Sequence, residues 1–192
     1  MELADKKIGF AMCGSFCTFK KVIAELEKLF NTGADVFPIM SENAYSTDTR
    51  FGLACDFQDT IKRLCNKEII HTVKDAEPIG PKALFDALVI APCTGNTIAK
   101  LSSGIADTSV TLAAKAHLRN QKPVVVAVST NDGLAAAAKN IGILLNRKNI
   151  YLVPFGQDDY VNKPTSLVAD MSKIEDTLCA ALSKKQFQPV LC

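Results

Sequence analysis

Phe85-Asp86-Ala87-Leu88-Val89-Ile90-Ala91-Pro92-Cys93-Thr94-Gly95-Asn96-Thr97 is the stretch whose reading decides the fold. Phe85 to Ala91 is apolar apart from Asp86 and has strand length, the pattern of a strand buried on both faces. The run stops at a proline. Small and polar residues then open a short helix over Asn96 to Leu101. A capping turn needs one polar side chain, whereas this one offers Thr94, Asn96 and Thr97, and Gly95 permits close backbone approach.

The same alternation runs outward in both directions. Upstream, Lys7 to Met12 reads as a buried first strand. Phe19, Val22, Ile23, Leu26, Leu29 and Phe30 then share one helical face, and Asn31-Thr32-Gly33 stops that helix with a glycine suited to a left-handed turn. Ala34 to Met40 is a second strand, and Pro38 within it predicts an edge or an irregularity. A helix is expected over Arg50 to Cys65, a short strand over Ile69 to Val73, and a loop over Asp75 to Lys82. Downstream, Asp107 to Arg119 is helical, Pro123 to Val128 is a central strand and Asp132 to Arg147 is helical. Ile150 to Pro154 is a last short strand. Repetition of strand and helix predicts an α/β fold, a three-layer, Rossmann-like (flavodoxin-like) parallel sheet with helices on both faces. Residues 1–192 are expected to form one domain, with a C-terminal helix from about residue 166.

Bulk properties exclude several function classes. A net charge of +2 on 192 residues, with lysines and arginines scattered, is not the footprint of a nucleic-acid binder. No run is long and apolar enough to span a bilayer. Met1 to Lys7 is charged and leads directly into a strand, which is not the pattern of a signal peptide, so a cytoplasmic location is expected. The seven cysteines are odd in number and contain no C-x-x-C pair, which argues against a disulfide framework. Cys13 and Cys17 lie four apart, but with two histidines in the chain no metal site is expected.

Parallel sheets of this kind take ligands beyond the carboxyl ends of their strands, so the residues after each strand carry the functional reading. Met12-Cys13-Gly14-Ser15-Phe16 follows the first strand; it suits an anion at a helix start but has neither the dinucleotide fingerprint nor the lysine of a P-loop. Ser41-Glu42-Asn43-Ala44 follows the second, where Ser41 offers a donor and Glu42 an acceptor. Ser129-Thr130-Asn131-Asp132-Gly133 follows the strand Pro123 to Val128, with Ser129 or Asp132 as helix caps and Asn131 as a substrate contact. Phe155-Gly156-Gln157-Asp158-Asp159 closes the series. His71 and His117 are isolated, and chain order suggests no Ser–His–Asp set. Catalysis, if present, is expected to rely on a cofactor.

Pro92-Cys93-Thr94-Gly95-Asn96-Thr97 resembles the Pro-x-Ser-Ala-Asn-Thr motif of the flavoprotein family, which holds phosphopantothenoylcysteine decarboxylases, lantibiotic-type cysteine decarboxylases and flavin prenyltransferases. Gly14-Ser15 and Ser41 match its other FMN-contacting positions, and Lys100-x-x-x-Gly104-x-Ala106-Asp107 resembles its downstream pattern. The resemblance implies FMN held by Gly14, Ser15, Phe16, Ser41, Pro92, Thr94, Gly95, Asn96, Thr97 and Ser129. Asn96, Asn131 and His71 are candidates for catalytic groups. Ser46 to Gly52, Ala76 to Lys82, Ser129 to Asp132 and Pro154 to Asp159 are similar to the B-type dipicolinate synthase branch of that family. This implies an oxidoreductase subunit that acts in sporulation on a small dicarboxylate, dihydrodipicolinate. NAD(P) is then expected on an A-subunit-like partner, and the chain is expected to be a homo-oligomer. Arg50 and Lys82 are candidate contacts for the substrate carboxylates. Two alternatives stay open: a self-sufficient FMN decarboxylase or flavin prenyltransferase, and a non-catalytic stabilising subunit. The chain departs from the family at Thr94 (serine), at Gly95 (alanine) and at Ser129-Thr130-Asn131, where the decarboxylases carry Pro-x-Met-Asn. His71 is only a loose counterpart of their histidine.

Overall fold

Every residue of Ala87–Cys93 is buried, and so are six of the seven of Val124–Thr130. Such strands need partners on both sides and cover on both faces. A computed structural model describes residues 3–192; Met1 and Glu2, the start of the charged lead-in, lie outside the described residues. Five strands run parallel: β1 (Lys7–Met12), β2 (Asp35–Met40), β3 (Ala87–Cys93), β4 (Val124–Thr130) and β5 (Ile150–Leu152). Their spatial order is β2-β1-β3-β4-β5, the flavodoxin-like arrangement. On one face α1 (Phe19–Asn31) packs against α3 (Ala54–Cys65) and α8 (Ile174–Leu182). On the other, α5 (Gly95–Ser103) packs against α6 (Ser109–Arg119) and α7 (Ala138–Leu145). The buried cluster between them extends from Leu3 to Ala181.

β2 is the edge strand that Pro38 predicts. The Pro38 carbonyl points outward and accepts from the Ile70 N–H at 2.9 Å, so the missing proline N–H also faces away from β1. Gly33 adopts φ +87° just past α1, as expected for a helix stop.

Four local expectations are corrected. Ser166 to Lys185 is not one helix: Leu167–Ala169 forms β7, antiparallel to the last two residues of β4, and α8 begins only at Ile174. β7 in turn pairs with β6 (Phe155–Gly156), so the sheet is mixed and seven-stranded. Leu167 and Ala169 are buried by taking the edge that β5, ending at Leu152, leaves open on β4. Asp132 to Arg147 is helical only from Ala138, because Asp132 O accepts from the N–H groups of Ala135 and Ala137 and turns the chain there. Ile69 to Val73 makes a single bridge, Ile70 to Ile39, and Asp75 to Lys82 is in part helical, with α4 (Val73–Ala76) followed by a 3-10 turn. α2 (Glu42–Ser46) is a short addition after β2.

Candidate functional site

β1, β2, β3 and β4 end side by side, so the loops after them meet at one edge of the sheet. The N–H of Cys13 donates to the carbonyl of Pro92 at 3.1 Å, which ties the first of these loops to the third. Pro92 itself is a buried strand residue and lines neither of the two cavities at this edge. From this edge open two adjoining cavities that share Gly14, Phe16 and Thr94.

The first cavity, about 640 Å³, is lined by Ser41, Glu42, Asn43, Asn96, Thr97, Lys100 and Thr108 besides the shared residues. Local capping fixes much of its wall. Ser41 Oγ accepts from the Ala44 N–H at 3.3 Å and starts α2; Thr94 Oγ1 accepts from the Thr97 N–H at 3.4 Å and starts α5. Thr97 is largely buried and donates to Cys13 Sγ at 3.3 Å, in the floor of the crevice. Beside it, burial pushes the Cys93 thiol well above its ordinary range. Asn96 is exposed, and its side chain has no hydrogen-bond partner among the described residues. Lys100 pairs with Asp107 at 2.8 and 3.0 Å, and that bond holds the Asp107 carboxyl below the usual carboxylate range.

The second cavity, about 660 Å³, lies over Ser15 and Ser129, whose hydroxyls meet at 2.8 Å across 114 residues of sequence. Gly95, Asn131, Arg50, Lys21, Lys163 and Asp158 also line it. The close approach at Gly95 is to the protein itself: a Cβ there would sit 2.7 Å from Thr130 Oγ1 and 2.9 Å from Asp132 Oδ1. Those two side chains bond to each other, so neither Asp132 nor the buried Ser129 caps a helix.

The structure therefore brings together Gly14, Ser15, Phe16, Ser41, Thr94, Gly95, Asn96, Thr97, Ser129 and Asn131. His71 stands apart, stacked on Tyr45 at 3.8 Å with Nδ1 3.2 Å from the Ile69 carbonyl oxygen. Lys82 lies before the amino end of β3, away from the crevice, and Asp159 binds Asn162 in its own loop at 3.0 Å. Thr108, Lys21 and Lys163 line the crevice without a reading in the sequence that put them there. Thr108 follows Asp107 as the cap of α6, a signal that could have found it; Lys21 sits inside a helix and gives no local signal.

The donor set fits a flavin nucleotide. Hydroxyls, an unpartnered amide and backbone N–H groups at the start of a nine-residue helix suit a phosphate, a polyol and the polar edge of a ring. The adjoining volumes admit a ligand of that size.

Comparison with known proteins agrees. The Flavoprotein family model matches residues 1–182. The chain is 44% identical over 190 residues to the dipicolinate synthase B subunit of Bacillus subtilis (strain 168), covering 99% of this chain and 95% of that one. It is similar to the crystal structure of the dipicolinate synthase B subunit from Bacillus halodurans, with TM-score 0.92, 44% identity and coverage of 100% and 98%. At 20% identity it shares the fold of the FMN-dependent cysteine decarboxylase SpaF, with TM-score 0.68 and coverage of 94% and 97%. The motif after β3, the crevice beneath it and a family match over nearly the whole chain converge on one conclusion: this protein belongs to the Flavoprotein family.

Proposed function

We propose that this chain is the B-type subunit of a dipicolinate synthase. It binds FMN in the crevice and works with an A-subunit-like partner to oxidise dihydrodipicolinate to dipicolinate in the cytoplasm of a sporulating cell. The observation that carries the reading is the 44% identity, over 99% of the chain, to a protein of that name. In this reading residues 1–192 act as one domain, and the chain assembles as a homo-oligomer.

Gly14, Ser15, Ser41, Thr94 to Thr97 and Ser129 would hold the flavin, with Phe16 as an apolar wall. When bound, FMN supplies a two-electron acceptor. The residues of the crevice orient the ligands and exclude water; Asn96 and Asn131 present amide groups to it. Aromatisation removes two hydrogens from the dihydropyridine ring. The nicotinamide of NAD(P), which we assign to the partner, would supply the final hydride acceptor, and a proton would leave to solvent. The glycine fingerprint of a nicotinamide site is missing from the loop Met12 to Phe16, which supports that division. The decarboxylase-like neighbour at 20% identity supports the fold alone.

The test is a titration of the purified full-length chain with FMN, followed by absorbance. A bound flavin spectrum is expected. Its affinity should fall about 100-fold, on the order of 3 kcal/mol, when Asn96→Ala and Thr97→Ala are combined. No binding at millimolar FMN overturns the cofactor assignment. Dehydrogenation of dihydrodipicolinate should appear only when the A-type chain is mixed in; full turnover by either chain alone overturns the division of labour.

A further inference from the structure

The two cavities differ in charge. The one over Ser41 and Asn96 carries Glu42 and Lys100, which offset each other, and Lys100 is already engaged by Asp107. The one over Ser15 and Ser129 carries three cations, Lys21, Arg50 and Lys163, against the single carboxylate of Asp158. Lys163 lies 3.5 Å from Asp158, whereas Lys21 and Arg50 have no ion-pair partner among the described residues. These cations come from three separate parts of the chain, α1, the loop before α3 and the loop after β6, yet they converge on one cavity at the ligand end of the sheet. The Arg50 guanidinium lies 4.9 Å from the centre of the Phe51 ring, which braces it against an apolar surface. Phe51 and Phe16 both line the cavity.

A cavity with aromatic walls and an excess of two positive charges suits a flat ring that bears two carboxylates. A braced guanidinium pairs with one carboxylate through two parallel N–H donors, and an ammonium serves as a point charge for the other. We infer that the cavity bounded by Lys21, Arg50 and Lys163 is the dicarboxylate subsite of the crevice, with Arg50 as the residue that selects a dianion over a monoanion. The inference rests on the dipicolinate reading above and adds to it the side chains that recognise the substrate class.

The test is calorimetric titration of the full-length chain, with and without FMN, using dipicolinate (pyridine-2,6-dicarboxylate) and picolinate, which has one carboxylate fewer. Dipicolinate should bind at least tenfold more tightly than picolinate. Arg50→Gln should weaken dipicolinate at least tenfold and shrink its advantage over picolinate; Lys163→Gln should weaken it less. Lys82→Gln, at the other end of the sheet, should change nothing. Thermal melting checks that the variants fold. Wild-type dipicolinate affinity in both Arg50→Gln and Lys163→Gln, or no binding with or without FMN, overturns the subsite. The flavin spectrum is read separately. A chain that keeps flavin but shows no Arg50 dependence loses the subsite alone; one that lacks flavin but shows that dependence loses the cofactor reading alone.

Discussion

The two ends of the parallel sheet treat their polar groups in opposite ways. At the amino ends of the strands, several polar side chains are tied to the protein's own backbone. Asp86 accepts from the Lys7 N–H at 2.9 Å, Asn120 donates to the Gly80 carbonyl at 2.9 Å, and His117 Nε2 lies 3.1 Å from the Pro123 carbonyl oxygen. Lys67 pairs with Asp35 and lies over the Phe37 ring. At the carboxyl ends the hydroxyls bond among themselves, as Ser15 does with Ser129, while the side chains of Asn96, Asn131, Lys21 and Arg50 have no hydrogen-bond or ion-pair partner among the described residues. Folded chains pair the polar groups they bury. The amides and cations left unengaged at this rim face a pair of cavities, and under the proposed function a ligand from outside would complete their bonding. Under the proposed function the contrast separates stability at one end from recognition at the other.

The sharpest way to break that contrast is His117. Burial pushes its pKa down to about 4, and the nearby Lys122 adds to the effect. It is therefore neutral in the folded state at pH values where the unfolded chain, with an ordinary histidine near 6.5, already takes up a proton. The unfolded state binds more protons, so stability falls as pH drops from about 6.5 to about 4 and levels off below that. The loss is about 3 kcal/mol at roughly 1.4 kcal/mol per unit. Urea unfolding at pH 7 and pH 4.5 should show most of this loss in the wild type and a much flatter response in His117→Gln. FMN affinity at pH 7 should be the same in both. An equal pH response, or a flavin defect in the variant, would dissolve the distinction between the two ends.

That distinction was only partly legible in the sequence, for physical reasons. Phe85 to Ala91 announces a central strand because burial on both faces leaves one pattern available, and Thr94 to Thr97 announces the crevice because so many polar residues exceed the needs of a cap. Gly33 and Pro38 read correctly since each acts through its own backbone. Ser166 to Lys185 reads as one helix because Leu167 continues the helical spacing of Met171, Ile174, Leu178 and Ala181; only the open edge of β4, supplied by tertiary structure, turns Leu167 to Ala169 into a strand. The Ser15–Ser129 contact spans 114 residues, and no local pattern encodes such a pair. Arg50 and Lys82 were equivalent cations on paper, and only the fold puts one in the crevice and the other before the amino end of β3.

Gly95→Ala probes the recognition end from inside. Its Cβ would press on the Thr130 hydroxyl and the Asp132 carboxylate, which bond to each other. Both are side-chain ends that can turn aside, so the stability cost should stay near 1 kcal/mol, at the low end for overpacking. Turning them aside displaces the wall of the second cavity and the start of α5 together, so flavin affinity should fall about tenfold. A thermal melt beside the FMN titration separates the two effects. A large loss of stability with unchanged flavin binding would mean that the Thr130–Asp132 contact supports the fold and not the site.

The smallest effect is a rate. Cys17, Cys55 and Cys192 are exposed, whereas Cys13, Cys65 and Cys93 are buried, and burial pushes the Cys65 thiol up to about 12. Since the thiolate is the nucleophile, a maleimide should label Cys17, Cys55 and Cys192 first. Of these three only Cys17 lines the crevice, with its sulfur 3.9 Å from Ser15 Oγ. Cys55 belongs to α3 and Cys192 follows the residue that bridges to Phe155, so both serve as internal controls on the same molecule. Saturating FMN or dipicolinate should slow labelling of Cys17 severalfold, read by peptide mass spectrometry, and leave the two controls unchanged. Slowing of all three would indicate a general tightening of the fold. A Cys17 rate that does not move in a chain whose spectrum shows bound flavin would place the ligand away from Ser15, and the unengaged side chains at the carboxyl ends would need another explanation.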